Sequence, residues 1–317
     1  MNTFGLNIIF RNGCFCGRET IRVKTKKYYI KEVIGEGGFS SVYLVEDSST
    51  KKLYAVKKII CHSMDDQTVA LNEVKVHNKV DHENVIKLVD YDIDGIPDPV
   101  LNATSQIYLL LPYYKRGTLH DELQKRSILK KPFEPSEVLE MFLKICNGVK
   151  AFHQLKEPLA HRDLKTANIL LDTDFTPVIM DLGSATGARM DIKNLSDAQS
   201  LQDLAAERCS MPYRAPELFS VTPHTSVDER TDIWSLACIL YAMCFFKSPF
   251  DAVYERGDSV ALAVLSENLT YPERHIYGKE MEELIEFMFK VNPTERPFID
   301  QVIEKVEETL RKYTTTV

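Results

Sequence analysis

The sequence predicts an α+β fold, with a small antiparallel-sheet lobe followed by a larger, mostly helical lobe. Three observations carry this reading. Strand-like apolar runs fill residues 28–114, helix-period patterns dominate after Gly117, and 44% of the 317 residues are hydrophobic, enough to bury a sizeable core.

In chain order, residues 1–27 read as a separate head that carries Cys14-Phe15-Cys16 and a basic stretch of Arg18, Arg22, Lys24, Lys26 and Lys27. From Tyr28 onward YYIKEVI, GEGGFSSVYLVE and KLYAVKKII are apolar runs broken by a glycine turn, the pattern of an antiparallel hairpin sheet. A helix is expected over 65–80. Two further strands are expected in VIKLVDYDI and QIYLLLPYY, separated by the turn-rich DGIPDPVLNATS. Beyond Gly117, EPSEVLEMFLKICNGVKAFHQL places Val138, Phe142, Ile145 and Val149 at helical spacing, with Pro135 in the first turn. The apolar run 233–246 falls short of the ~20 residues a membrane span needs and reads as a buried core helix. The expected divisions are 1–27, 28–115, 116–312 and a tail at 313–317.

Composition removes several function classes. Lys plus Arg number 39 against 46 Asp plus Glu, a net charge of −7, so there is no overall field for nucleic acid. The seven cysteines form no C-x-x-C blocks and show no zinc-type His spacing, which suits reduced thiols. The first ten residues contain no Lys and only apolar or neutral neighbours ahead of Arg11, a poor signal peptide.

The chemistry concentrates in four strings. Gly35-Glu36-Gly37-Gly38-Phe39-Ser40-Ser41-Val42 lies between two strands, where glycines let a backbone close over phosphates. A strand rather than a helix follows, so it is not a dinucleotide-binding turn. Lys57 shares a strand face with Ala55, so an amine projects from an apolar surface, and Glu73 in the following helix can neutralise it. His161-Arg162-Asp163-Leu164-Lys165-Thr166-Ala167-Asn168 comes next, with Asp181-Leu182-Gly183 after it. Phosphoryl transfer needs a carboxylate to orient the attacking hydroxyl, cations on the developing charge and oxygen ligands for metal. Asp163, Lys165, and the pair Asn168 and Asp181 suit those tasks in turn.

These strings resemble the motifs of eukaryotic protein kinases, with Asp181-Leu182-Gly183 in the D-F-G position and Ala215-Pro216-Glu217 in the A-P-E position. Asp232-Ile233-Trp234-Ser235-Leu236 resembles the start of the long central helix, and Arg296 matches the late arginine that pairs with the A-P-E glutamate. The resemblance covers about 28–312 and implies the bilobal kinase fold, ATP, Mg2+ and protein substrates. It makes Asp163, Lys165, Lys57 and Glu73 catalytic and Asn168 and Asp181 metal ligands. ATP would lie against Ile34, the loop Gly35 to Val42, Ala55, Lys57, the gatekeeper Leu111, the hinge Pro112 to Tyr114, and Leu170. Lys165, with Ser210 three residues before Tyr213, matches the serine/threonine pattern and places Ser210 at the substrate-docking segment.

LLLPYYKRGTL, D-L-G-S, LQDLAAERCSMPYRAPELFSV and DERTDIWSL are similar to the Numb-associated kinase family, nearest to its myristoylated and palmitoylated branch. That implies S-acylation of Cys14 and Cys16, autophosphorylation, and peripheral attachment to the cytosolic face of Golgi or other membranes. Asn2 follows Met1, so the N-terminal glycine that myristoylation requires is missing. The segment from Asp181 to Glu217 is long, and a capping box at Ser196 and Gln199 with Leu201, Leu204 and Ala205 predicts a helix over about 196–207. Two other readings stay open at this level. A pseudokinase scaffold requires a gap among Lys57, Glu73, Asp163, Asn168 and Asp181, and a small-molecule kinase generally lacks the 208–217 stretch.

Overall fold

The computed structural model describes residues 19–38, 40–266 and 269–314. The chain builds an antiparallel-sheet lobe and a helical lobe in the expected order. Six strands make the sheet: β1 (Thr20–Val23), β2 (Lys26–Glu36), β3 (Ser40–Asp47), β4 (Leu53–Cys61), β5 (Asp90–Asp94) and β6 (Ser105–Pro112). Their spatial order is β1-β2-β3-β4-β6-β5, and every neighbouring pair is antiparallel.

Two strand boundaries depart from expectation. The sheet begins at Thr20, inside the stretch expected as head, because the alternation in T-I-R-V is completed by Tyr28. Ile21 and Val23 pack with Tyr28, Val45, Val56 and Leu110 in a small core of their own. The Lys24 amide then donates to an Asp92 carboxylate oxygen, linking the two edge strands. Of the run 85–93, only its end from Asp90 enters this sheet. Val85 and Ile86 instead meet Ile179 of the other lobe, through a bridge and a 2.8 Å bond from the Ile86 amide to the Ile179 carbonyl.

Helix α1 (Met64–Lys79) starts at a capping box in which Ser63 and Asp66 satisfy each other's amides. Its buried face, Ala70, Glu73, Val74 and His77, follows i, i+3, i+4, i+7 spacing and packs below the sheet. The helical lobe contains α2 (Leu119–Leu129), α3 (Pro135–His153), α4 (Leu195–Arg208) and α5 (Arg230–Phe245), and ends with a helix over Ile299–Thr314, so residues 313 and 314 extend the lobe beyond the expected boundary. Short strands β7 (Leu159–Ala160), β8 (Ile169–Leu171) and β9 (Pro177–Ile179) bracket the loop that carries Asp163. Val138, Phe142, Ile145 and Val149 of α3 are fully buried, and α5 is buried nearly all round with Trp234 in the centre of the lobe.

Helix α4 sits where a helix was expected at 196–207, but its cap differs. Asn194 accepts from the Asp197 amide at 2.9 Å, while Ser196 lies in the first turn and the Gln199 side chain donates through Nε2 to Asp203. Asparagine places a carbonyl at cap distance two residues earlier than the serine, and Asp197 Oδ2 in turn accepts the Lys193 amide at 3.0 Å. Cys14, Cys16 and Phe39 lie outside the described residues. Among the described residues, no helix is long and apolar enough to cross a membrane.

Candidate active site

The loop after β7 is fixed from below by one carboxylate. Asp232, in the first turn of α5 and fully buried, accepts the amides of His161 at 2.7 Å and Arg162 at 3.0 Å, and the His153 ring nitrogen at 3.0 Å. Burial works against its charge, but the His153 bond and the His161 amide hold its carboxyl below the usual aspartate range. With both amides committed, Arg162 adopts a left-handed backbone, φ 67°, that turns the chain into Asp163.

Asp163 is held on both oxygens. Its Oδ1 accepts the Ser210 amide at 2.9 Å; its Oδ2 accepts Lys165 Nζ at 2.8 Å and Asn168 Nδ2 at 3.0 Å. Lys165 Nζ also donates to Ser210 Oγ at 2.7 Å, so the catalytic-loop lysine bridges the carboxylate and the docking segment. Asn168 Nδ2 is further fixed by the Asp163 carbonyl, which leaves the amide oxygen as the atom that can ligate a cation.

A second cluster spans the lobes. Lys57 Nζ donates to both oxygens of Glu73, at 3.0 and 2.9 Å, and to Asp181 Oδ1 at 2.8 Å. Burial opposes the ammonium charge, but the two carboxylates outweigh it and raise the Lys57 pKa. Burial pushes Glu73 up, whereas Lys57 overcomes burial at Asp181 and pulls it down, so Asp181 is an anion at neutral pH. Asp181 has a left-handed backbone, φ 61°, that turns its carboxylate toward the cleft. The following Gly183 is packed against Glu73, where an added Cβ would lie 3.1 Å from Oε2.

Between the lobes lies a cavity of about 490 Å³. Ile34, Val42, Ala55, Leu111 and Leu170 give it apolar walls; Lys57, Glu73 and Asp181 form its charged end, and Pro112 and Tyr114 its outer edge. Gly35, Glu36, Gly37 and Ser40 also line it, but Gly38 and Ser41 do not. The strand alternation that turns Ser40 and Val42 inward turns Ser41 to the other face, and Gly38 has no side chain to contribute. An apolar slot with a cation and an oxygen-bearing anion at one end fits a nucleotide and a hard divalent ion. A neighbouring groove of about 670 Å³ runs from Lys165 and Ser210 past Met211 and Tyr254.

The protein kinase domain model matches residues 28–306. The chain belongs to the protein kinase family. It is 41% identical over 294 residues to serine/threonine-protein kinase 16 of Rattus norvegicus, covering 93% of this chain and 94% of that protein. The human protein of the same name matches at 41% over the same shares. A probable serine/threonine-protein kinase of Dictyostelium discoideum is 33% identical over 365 residues, 94% of this chain and 98% of its own. The kinase is therefore a serine/threonine protein kinase, and membership implies ATP, typically Mg2+, and protein substrates.

Sequence reasoning missed three contributors. Asp232 was read only as the start of a helix, yet it carries the catalytic-loop backbone. Asp121 lines the cavity from α2, and the T-x-x-D spacing of its capping box with Thr118 was legible. His77 lines the cavity one turn after Glu73, a position set by α1 geometry alone. Arg296 pairs with Glu217 at 2.9 and 3.0 Å, bracing the docking segment against α5.

Proposed function

We propose that the kinase transfers the γ-phosphate of ATP to serine and threonine hydroxyls with Asp163 as the residue that orients and deprotonates the acceptor. One observation carries this assignment: a single carboxylate is fastened at once to Lys165, Asn168 and the Ser210 amide. Asp163 is buried beneath Lys165 and Ser210, which line the peptide groove, and its rotamer is fixed. Lys165 shields the negative charge that builds as the hydroxyl is deprotonated. Lys57, locked by Glu73, holds the non-transferring phosphates. The glycine loop from Gly35 covers them, and Ile34, Val42, Ala55 and Leu170 clasp the base. Pro112 lacks an N–H, so the first hinge bond to adenine uses its carbonyl. Asn168 and Asp181 would hold Mg2+, which supplies positive charge to the phosphoryl oxygens.

Purified enzyme offered matched serine, threonine and tyrosine peptides should label the first two; transfer confined to tyrosine would refute the substrate class.

The finer placement is also a proposal. The D-L-G-S variant, α4 and the identity to the named relatives support the myristoylated and palmitoylated branch of the Numb-associated family, with autophosphorylation. Cys14 and Cys16 then carry acyl chains that place the kinase on a cytosolic Golgi face. Two chains are needed because one binds membranes only marginally. Cell fractionation of wild type against Cys14→Ser/Cys16→Ser decides it, since wild type found wholly in the soluble fraction ends the idea.

A further inference from the structure

We propose that His77 is a positioning residue for the Lys57–Glu73 pair, acting through a hydrogen bond that ties α1 to the strand entering Asp181. The proposal rests on the kinase reading of the cleft. His77 follows Glu73 by one helical turn on the same buried face of α1, so the two side chains point the same way. Its Nδ1 lies 3.1 Å from the Ile86 carbonyl, and because a carbonyl only accepts, Nδ1 carries the hydrogen. The Ile86 amide in turn donates to the Ile179 carbonyl at 2.8 Å, two residues before Asp181.

The next carbonyl along the chain, that of Met180 just past β9, accepts from His161 Nε2 at 3.1 Å. One histidine from α1 and one from the catalytic loop therefore fasten the same short segment, the first through Ile86 and the second directly. Lys57, Glu73 and Asp181 come from three elements, and this chain of bonds makes the helix bearing Glu73 register with the strand bearing Asp181. Besides the Lys57–Glu73 pair, Gln67 donates to Ser105 Oγ and Asn72 to the Ala185 carbonyl, both N-terminal to His77, and Lys79 lies 4.0 Å from Glu157 beyond it.

Packing alone does not call for a histidine here. The ring is buried, and leucine fills similar space with no polar atom to satisfy. Burial lowers the His77 pKa to about 4, so the ring is neutral and keeps a single N–H, the one given to Ile86. The hydrogen bond is what leucine cannot supply.

The test compares full-length wild type, His77→Leu and His77→Asn. Asparagine bears its amide nitrogen on Cγ, as histidine bears Nδ1, but fills less space. The readouts are kcat, KM for peptide, Tm and hydrogen exchange across 64–79. His77→Leu should lower kcat about five-fold, the scale of one net hydrogen bond, and speed exchange in α1, with peptide KM within about two-fold of wild type. His77→Asn should keep at least about half of kcat and slow α1 exchange, despite a lower Tm than His77→Leu. The order of the two variants in kcat is then opposite to their order in Tm. Activity that simply follows Tm, or His77→Leu with wild-type kcat and wild-type exchange, overturns the proposal. If the variants are too weak to assay, equal α1 exchange in both overturns it as well. Failure of wild type to transfer phosphate would instead strike the kinase reading, and the exchange comparison would still report on the bond.

Discussion

The catalytic loop and the Lys57–Glu73–Asp181 cluster both hold carboxylates ready for chemistry, but by opposite means. The loop is short in sequence, and every anchor of Asp163 is a neighbour or a backbone group, with Asp232 of the buried α5 beneath it. The cluster joins residues from a strand, a helix and a loop, and opposite charge is its principal bond. The first is built into the helical lobe and needs no lobe closure. The second exists only while α1 and the sheet keep their place over the helical lobe. Adjustment of activity therefore falls on the cluster, and constancy on the loop.

The largest expected effect is at the cluster's cleft end. Asp181→Asn keeps the shape but loses the anion that pairs with Lys57 and would ligate Mg2+, so kcat should fall at least about 100-fold with circular dichroism unchanged. Near-normal turnover in Mg2+ would mean that Asp181 is only a structural partner of Lys57. A smaller loss, on the order of 10-fold, is expected for Asp232→Asn, because an amide nitrogen replaces an oxygen facing N–H donors. Unfolding measurements should show that variant less stable by about 1–3 kcal/mol at neutral pH.

The Asp232 difference is also pH-dependent, and its sign follows from the lowered pKa. The unfolded carboxyl, near pH 3.9, binds a proton before the folded one does. Its contribution is complete above about pH 4 and is lost as pH falls further, so wild type and Asp232→Asn should converge in stability in acid. A gap that does not narrow at all as pH falls below about 4 would show that packing, not charge, makes the difference.

The smallest effect is expected at the activation segment. Arg162 is buried, gives Nη2 to the Ala188 carbonyl, and lines a small cavity together with α4 residues Leu201, Leu204 and Ala205. An already capped helix walls this arginine's cavity, so ordering of the segment does not wait for a phosphate. Phosphatase treatment should change activity less than about two-fold; a large loss would mean that phosphorylation orders the segment.

What was legible in the sequence follows from the range of the interactions. His161 to Asn168 could be read because its residues contact one another, so spacing alone nearly fixes geometry. The α1 and α3 helices could be read from the Ser63 cap, Pro135 and apolar period. β1 could not, because Ile21 and Val23 sit among charged residues and are explained only by Tyr28, Val45 and Leu110 across the sheet. Asp232 and His77 were hidden for a similar reason: each acts on backbone atoms, which leave no mark on the partner's residue type. Asn194 displaced Ser196 as the α4 cap because both residues cap well, and only the path of the preceding loop chooses between them.

The account turns on Asp163, and phosphoryl transfer to a serine/threonine peptide by wild type and Asp163→Asn, run side by side, tests it most directly. Asparagine preserves the side-chain shape but cannot take the hydroxyl proton, so kcat should drop at least about 100-fold while ATP binding and Tm stay close to wild type. Turnover in Asp163→Asn within a few-fold of wild type would contradict the assignment of this carboxylate as the residue that activates the acceptor.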